Sequence, residues 1–157
     1  MRMRRKPWVR TELAESEFFI DDPTLNIGNW HSKYKRKGPL HLELGCGKGS
    51  FIAKLAAKNP NINYLAIDIK SEVLGLAKRN IEKEYLQAKR EIDNVLLTAY
   101  EIEIIQNILN EKDIVDRIYI NFCNPWPKPR HNKKRLTYPR QLEKYKMFLK
   151  QGRRNIL

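Results

Sequence analysis

The sequence predicts an α/β fold, a doubly wound and mostly parallel sheet, and three observations carry that reading. Short apolar or alternating runs recur between longer stretches of helical periodicity, a glycine-rich turn joins the first clear run to the first clear helix, and an acidic residue closes the second run. Strands that alternate with helices in this way bury both faces of a parallel sheet. At 157 residues the chain has length for one core and not for a second.

The elements follow in order. Residues 1–36 are polar and irregular, interrupted by Pro7, Pro23 and Gly28, and read as a basic N-terminal segment that wraps the domain expected over 37–157. Leu40–Leu44 alternates as a strand, Gly45–Gly49 turns, and Ser50–Asn59 has helical spacing. Asn63–Asp68 is a second strand, followed by a long charged helix over Lys70–Arg90 with Val73, Leu74, Leu76, Ala77 and Ile81 on one face. Asn94–Thr98 is a third strand and Glu101–Asn110 a helix. Arg117–Phe122 is a fourth strand that runs into Cys123-Asn-Pro-Trp-Pro127. Tyr138–Lys150 forms a last helix, with Pro139 in its first turn and Leu142, Tyr145 and Leu149 sharing a face. A fifth strand should come next, yet Gln151–Leu157 carries no strand pattern, so one side of the sheet is expected to stay open.

Lys and Arg number 31 against 18 Asp and Glu, a net charge of +13 that points to an anionic partner. The charge is clustered: Arg2, Arg4, Arg5, Lys6 and Arg10 lie near the start, and Lys128, Arg130, Lys133, Lys134 and Arg135 near the end, with Trp8, Trp126 and Tyr138 close by. Basic segments with aromatics suit nucleic acid, although either cluster alone also reads as a solvated loop or tail. No apolar run is long enough to span a bilayer, and the basic start meets Pro7 instead of a signal core, so a cytoplasmic protein is expected. Cys46 and Cys123 have neither metal-type nor redox spacing, and both are expected reduced and buried, with no metal bound.

Glu43-Leu-Gly-Cys-Gly-Lys-Gly49 puts an acid at a strand end and three glycines in the turn before a helix. Glycine lets a backbone approach a ligand closely. The glycines stand at 45, 47 and 49 with Ser50 next, where a dinucleotide fingerprint wants another glycine, which disfavours a nicotinamide oxidoreductase. Many methyltransferases use such a turn for S-adenosylmethionine. Asp68, at the end of the second strand, can accept hydrogen bonds from both ribose hydroxyls of an adenosine-bearing cofactor. Glu101 follows the third strand, placed either to reach an adenine edge or to sit as a first-turn helix carboxylate. Asn124-Pro-Trp126, after the fourth strand, makes a rigid hook that presents a polar oxygen and a flat ring to a base; its other reading is a proline turn over a buried Trp.

Taken together, Glu43 to Phe51, Asp68, and Asn121-Phe-Cys-Asn-Pro-Trp-Pro-Lys-Pro-Arg-His131 followed by Lys133-Lys-Arg-Leu136 resemble the bacterial tRNA (guanine-N7)-methyltransferases. The resemblance covers residues 7 to 150, and the string from Asn121 is its specific part, because other methyltransferases share only the glycine turn. It implies a Rossmann-like S-adenosylmethionine-dependent methyltransferase sheet, methyl transfer to a guanine in the variable region of tRNA, and tRNA as partner. By position it implies cofactor contacts from Glu43, Gly45, Gly47, Asp68, Glu101 and Asn124. Lys128 and the loop Arg130, His131, Asn132, Lys133, Lys134 and Arg135 would face the RNA. The family carries a catalytic aspartate where this chain has Asn124. Guanine N7 is an unprotonated acceptor, so in-line positioning matters more than a strong base; in a full-length version Asn124→Asp is expected to be tolerated and Asn124→Leu to abolish transfer. The resemblance also implies a chain that stops before the family's remaining strand, substrate loop and closing hairpin. Gly152-Arg-Arg-Asn-Ile156 can be encoded so that one base out of register it reads Gly-Glu-Ile, which suggests a frameshift and a sheet edge of low stability. The competing class is an RNA-binding module without catalysis, which would bind tRNA and no methyl donor.

Overall fold

Apolar residues spaced by two give this chain its centre: Leu40, Leu42 and Leu44 are fully buried on one face of a single strand. In the computed structural model, which describes residues 6–120 and 139–150, that strand is β2 (Leu40–Leu44). The others are β1 (Phe19–Ile20), β3 (Asn63–Asp68), β4 (Val95–Ala99) and β5 (Arg117–Ile120). They form a five-stranded parallel sheet in the order β1-β4-β3-β2-β5. β3 and β4 are buried nearly throughout and read as continuous apolar runs, as strands covered on both faces do.

The helices are α1 (Trp8–Glu15), α2 (Ser50–Lys58), α3 (Ser71–Gln87) and α4 (Pro139–Lys146). Crossovers through α2 and α3 carry the chain from β2 to β3 to β4, whereas β5 pairs on the other side of β2. The chain therefore reverses its direction of winding beside β2. In sheets of this kind the carboxyl edge at such a reversal is the place that takes ligands.

Three features depart from the sequence reading. Residues 8–34 are more ordered than their composition suggests: α1 packs on α3, Phe19–Ile20 pairs with Leu97–Thr98, and 3-10 turns cover Pro23–Asn26 and Trp30–Lys33. Gly75 permits the first contact, since a Cβ there would lie 2.5 Å from Val9 and 3.2 Å from Trp8. The expected helix at 101–110 is instead a 3-10 segment, Ile102–Asn107, with a non-helical residue at Ile104 (φ −116°, ψ 36°). Ile102 and Ile105 are buried there, and three β-branched residues in six positions weaken the preference for a regular helix. Finally, the chain after α4 returns to the sheet before residue 151: Val115 N donates to Phe148 O and Lys150 N to Val115 O, both at 2.7 Å, and Val115 and Leu149 bridge in parallel. Three residues are too few to show a strand period. Residues 151–157, read as lacking a strand, lie outside the described residues.

Candidate functional site

The site is built where β2, β3 and β4 end. Register pairs Glu43 with Ala66 and Asp68 with Ala99, so the side chains of Glu43 and Asp68 leave the same face of neighbouring strands. On the far side of β2, Tyr119 of β5 pairs with Glu43, and the ring of Phe51 in the first turn of α2 packs edge-on against Tyr119 at 5.2 Å. Glu43 is buried and Asp68 half-buried.

The glycine turn needs its glycines for different reasons. Gly45, Gly47 and Gly49 all have positive φ, at 75°, 55° and 73°. A Cβ on Gly49 would meet the Cβ of Ala77 at 2.7 Å, so this glycine seats the start of α2 against α3. A Cβ on Gly47 would meet nothing within 4 Å. Gly47 thus borders space that no described residue fills, and its N–H donates to Asp68 Oδ2 at 2.9 Å. The other Asp68 oxygen accepts from Lys70 N at 3.1 Å, and Tyr100 N donates to the Asp68 carbonyl at 3.0 Å. Gly45 N and Cys46 N both donate to Ile67 O, at 2.8 and 3.1 Å, which ties the turn to the end of β3. From α3, Asn80 Nδ2 donates to the Lys48 carbonyl at 2.7 Å. The N-cap of α2 is Gly49, which has no side chain to cap it, so among the described residues no side-chain cap takes up the N–H groups of its first turn.

Cys46 is buried in this turn, as expected. Burial first, then the negative charges of Glu43 and Asp68, push its thiol well above the ordinary cysteine range, which leaves it an unreactive apolar side chain. Glu101 is exposed at the N-cap position of the 3-10 segment and makes no capping hydrogen bond, so its carboxylate is not spent on the turn it precedes. Ile69, next to Asp68, is 61% exposed, an apolar wall at the rim that sequence reading passed over. An apolar residue directly after a strand-end acid was the available signal. Asn80 was missed as well, and nothing short of the helix packing would have revealed it.

An acid at a strand end, a glycine-rich backbone turn bonded to it and an exposed apolar residue beside it fit an adenosine-bearing amino-acid cofactor. Among the described residues, no group of three His, Cys, Asp or Glu is placed to hold a metal ion, and no helix is long and apolar enough to cross a membrane. β5 ends at Ile120, paired with Leu44, so the chain enters residue 121 from the same carboxyl edge. Asn124, Lys128, Arg130, His131, Asn132, Lys133, Lys134 and Arg135, together with Cys123, lie outside the described residues.

Residues 37–154 match the model of a family described as "Putative methyltransferase". The chain is 60% identical over 150 residues to the tRNA (guanine-N(7)-)-methyltransferase of Clostridium beijerinckii, covering 96% of this chain and 68% of that protein. The chain belongs to the tRNA (guanine-N(7)-)-methyltransferase family. The protein of that name from Ruminiclostridium cellulolyticum is 58% identical over 153 residues, 97% of this chain and 65% of its own length. This chain thus spans about two thirds of these relatives. Among solved structures, PKMT2 from Rickettsia typhi superposes with a TM-score of 0.51 at 22% identity, over 82% of this chain and 23% of that one. An antibiotic-related methyltransferase superposes with a TM-score of 0.50 at 24% identity, over 71% of this chain and 53% of that one. These two show the fold, which for this family is a Rossmann-like methyltransferase sheet.

Proposed function

We propose that this chain is a cytoplasmic enzyme that transfers a methyl group from S-adenosylmethionine to N7 of a guanine in the variable region of tRNA. The observation that carries the proposal is 60% identity to a tRNA (guanine-N(7)-)-methyltransferase over 96% of the chain. That span takes in both the glycine turn and the basic string from Asn121. The cofactor supplies an electrophilic sulfonium methyl.

The residues present fit that group. Asp68 accepts from the ribose hydroxyls, its carboxylate already aimed by the Gly47 and Lys70 N–H groups. Ile69 offers its exposed face to the base, with Glu101 at the base edge. Gly45 and Gly47 let the backbone approach the cofactor, and the open first turn of α2 suits an amino-acid carboxylate. Glu43, buried beside them, favours the cationic part of the cofactor by its charge. Guanine N7 arrives with its lone pair free, so the protein's task is alignment and the stabilisation of positive charge growing on the purine. Asn124 would do this with an amide oxygen, more weakly than a carboxylate. Lys128 and Arg130 through Arg135 would hold the phosphates.

Two measurements test the reading. Wild-type chain incubated with unmodified tRNA and labelled methyl donor is expected to place label on guanine N7; label on another position would overturn the regiochemistry. In calorimetry with S-adenosylhomocysteine, Asp68→Ala is expected to bind about 100-fold more weakly, as loss of two charge-assisted hydrogen bonds implies. Unchanged affinity would remove Asp68 from the cofactor site. A chain that bound tRNA and no S-adenosylhomocysteine would instead be an RNA-binding module.

A further inference from the structure

The 3-10 segment that follows Glu101 is held from outside by α4. The buried side chain of Gln141 donates through Nε2 to the Ile102 carbonyl at 2.6 Å, and the Lys144 ammonium donates to the Glu103 carbonyl. Gln141 and Lys144 are three apart on one helix, and Ile102 and Glu103 are consecutive, lying just before the break in helical geometry at Ile104. Residues three apart share a helix face, so a single face of α4 meets both carbonyls. The far end of the helix is fixed too: Phe148 and Lys150 hydrogen-bond to Val115 at the base of β5, and Lys150 Nζ lies 3.7 Å from Asp116 Oδ2. One 3-10 bond, Ile104 N to the Glu101 carbonyl at 3.2 Å, spans residues 101–104, regular helix bonding does not continue across the non-helical Ile104, and the Glu101 side chain makes no capping bond. Its direction therefore depends also on what grips the next two peptides.

We infer that Gln141 and Lys144 are positioning residues for the cofactor's base side, acting through the Ile102 and Glu103 carbonyls to aim Glu101. The inference rests on the cofactor reading above. α4 enters the sequence directly after the basic string read as RNA-facing, so the chain leaving that string also sets the wall of the cofactor site.

The test is a double-mutant cycle read by calorimetry with S-adenosylhomocysteine. Gln141→Leu keeps bulk and removes the donor; it is expected to weaken binding on the order of fivefold, the effect of one hydrogen bond. Lys144→Met should weaken it less, and Lys144→Arg, which retains a donor, should restore it. In a Glu101→Gln background, Gln141→Leu is expected to cost under about twofold, because the two residues act on one contact. Equal losses in both backgrounds, or a loss of binding accounted for by partial unfolding at the temperature of measurement, would overturn the positioning role. A wild-type chain that binds no S-adenosylhomocysteine would overturn the cofactor reading together with it. Wild-type binding left unchanged by Gln141→Leu would overturn this inference alone.

Discussion

The two edges of the sheet are built for different ends. At the amino edge two buried polar side chains, Asn94 and Asp113, are each used several times over. Asn94, 1% exposed, donates to the carbonyls of Ala56, Asn59 and Ile62 and accepts from Tyr85 Oη and Arg90. It joins the end of α2, the end of α3 and the start of β4. Asp113, fully buried, accepts from the N–H groups of Gly28, Trp30 and Asn110 at 2.8, 3.1 and 2.9 Å. It pins the N-terminal segment under the approach to β5. At the carboxyl edge the pattern reverses: among the described residues nothing lies within 4 Å of a Cβ at Gly47, no side chain caps α2 or the 3-10 segment, and Ile69 is exposed. The difference teaches that the amino edge carries stability so that the carboxyl edge is free to leave polar groups for a ligand. Mutations at the two edges should then separate: one set moves the melting transition, the other moves affinity.

The largest effect is expected from Asp113→Ala. It leaves three backbone N–H groups without that acceptor, Trp30 in a buried bond and Gly28 and Asn110 in half-buried ones, with a cost of ~1–3 kcal/mol for each that stays unpaired. We expect a loss of about 4 kcal/mol in urea unfolding. Affinity for S-adenosylhomocysteine, measured on the fraction that remains folded, should hold. A fall in affinity larger than about threefold would show that the two edges are not independent.

The contrast also explains what the sequence disclosed. The carboxyl edge was legible because its chemistry is local: Glu43 to Gly49 is one run, and Asp68 ends the next strand. The central strands were legible because β3 and β4 are nearly pure apolar runs bounded by turn residues. The amino edge was not, because Asp113 and Gly28 are 85 residues apart and Asn94 reaches 38 residues back to Ala56. Contacts of that span leave no local pattern. α1 was hidden for a related reason: Val9 and Leu13 are its only buried residues, too thin a stripe to stand out among charges, and its partner is a glycine inside another helix. The string from Asn121 named the family from composition and order alone, while residues 121–138 lie outside the described structure. Sequence and geometry therefore support the two halves of the site separately.

A smaller effect should come from Asn80→Ala. The Asn80 amide holds the Lys48 carbonyl, and with it the turn between Gly47 and Gly49, from the surface of α3. Its loss is expected to weaken S-adenosylhomocysteine binding about threefold, the low end for a neutral hydrogen bond near solvent. The melting temperature should stay within about 2 °C of wild type. A large drop in stability with affinity intact would place Asn80 in the stabilising set and erase the division between the edges on this face.

The smallest effect concerns pH and returns to the amino edge. His41 stands in the first half of β2, its ring edge-on to Tyr64 at 5.5 Å and tilted toward Tyr119 at 6.0 Å. Its Nδ1 is buried and has no hydrogen-bond partner among the described residues. Burial, helped by the charge of Arg117 and opposed by Asp116, holds the imidazole below its ordinary value of 6.5. The unfolded chain therefore binds this proton more readily than the folded one. The neutral ring's contribution is complete above pH 6.5 and is lost as the pH falls through the lower folded value. The urea midpoint of the wild-type chain should drop between pH 7.5 and the region below 6.5, and His41→Gln should flatten that part of the decline while leaving cofactor affinity unchanged over the same range. An identical pH slope in the two proteins would show that the imidazole is protonated without cost where it stands, and that this part of the amino edge is open to water.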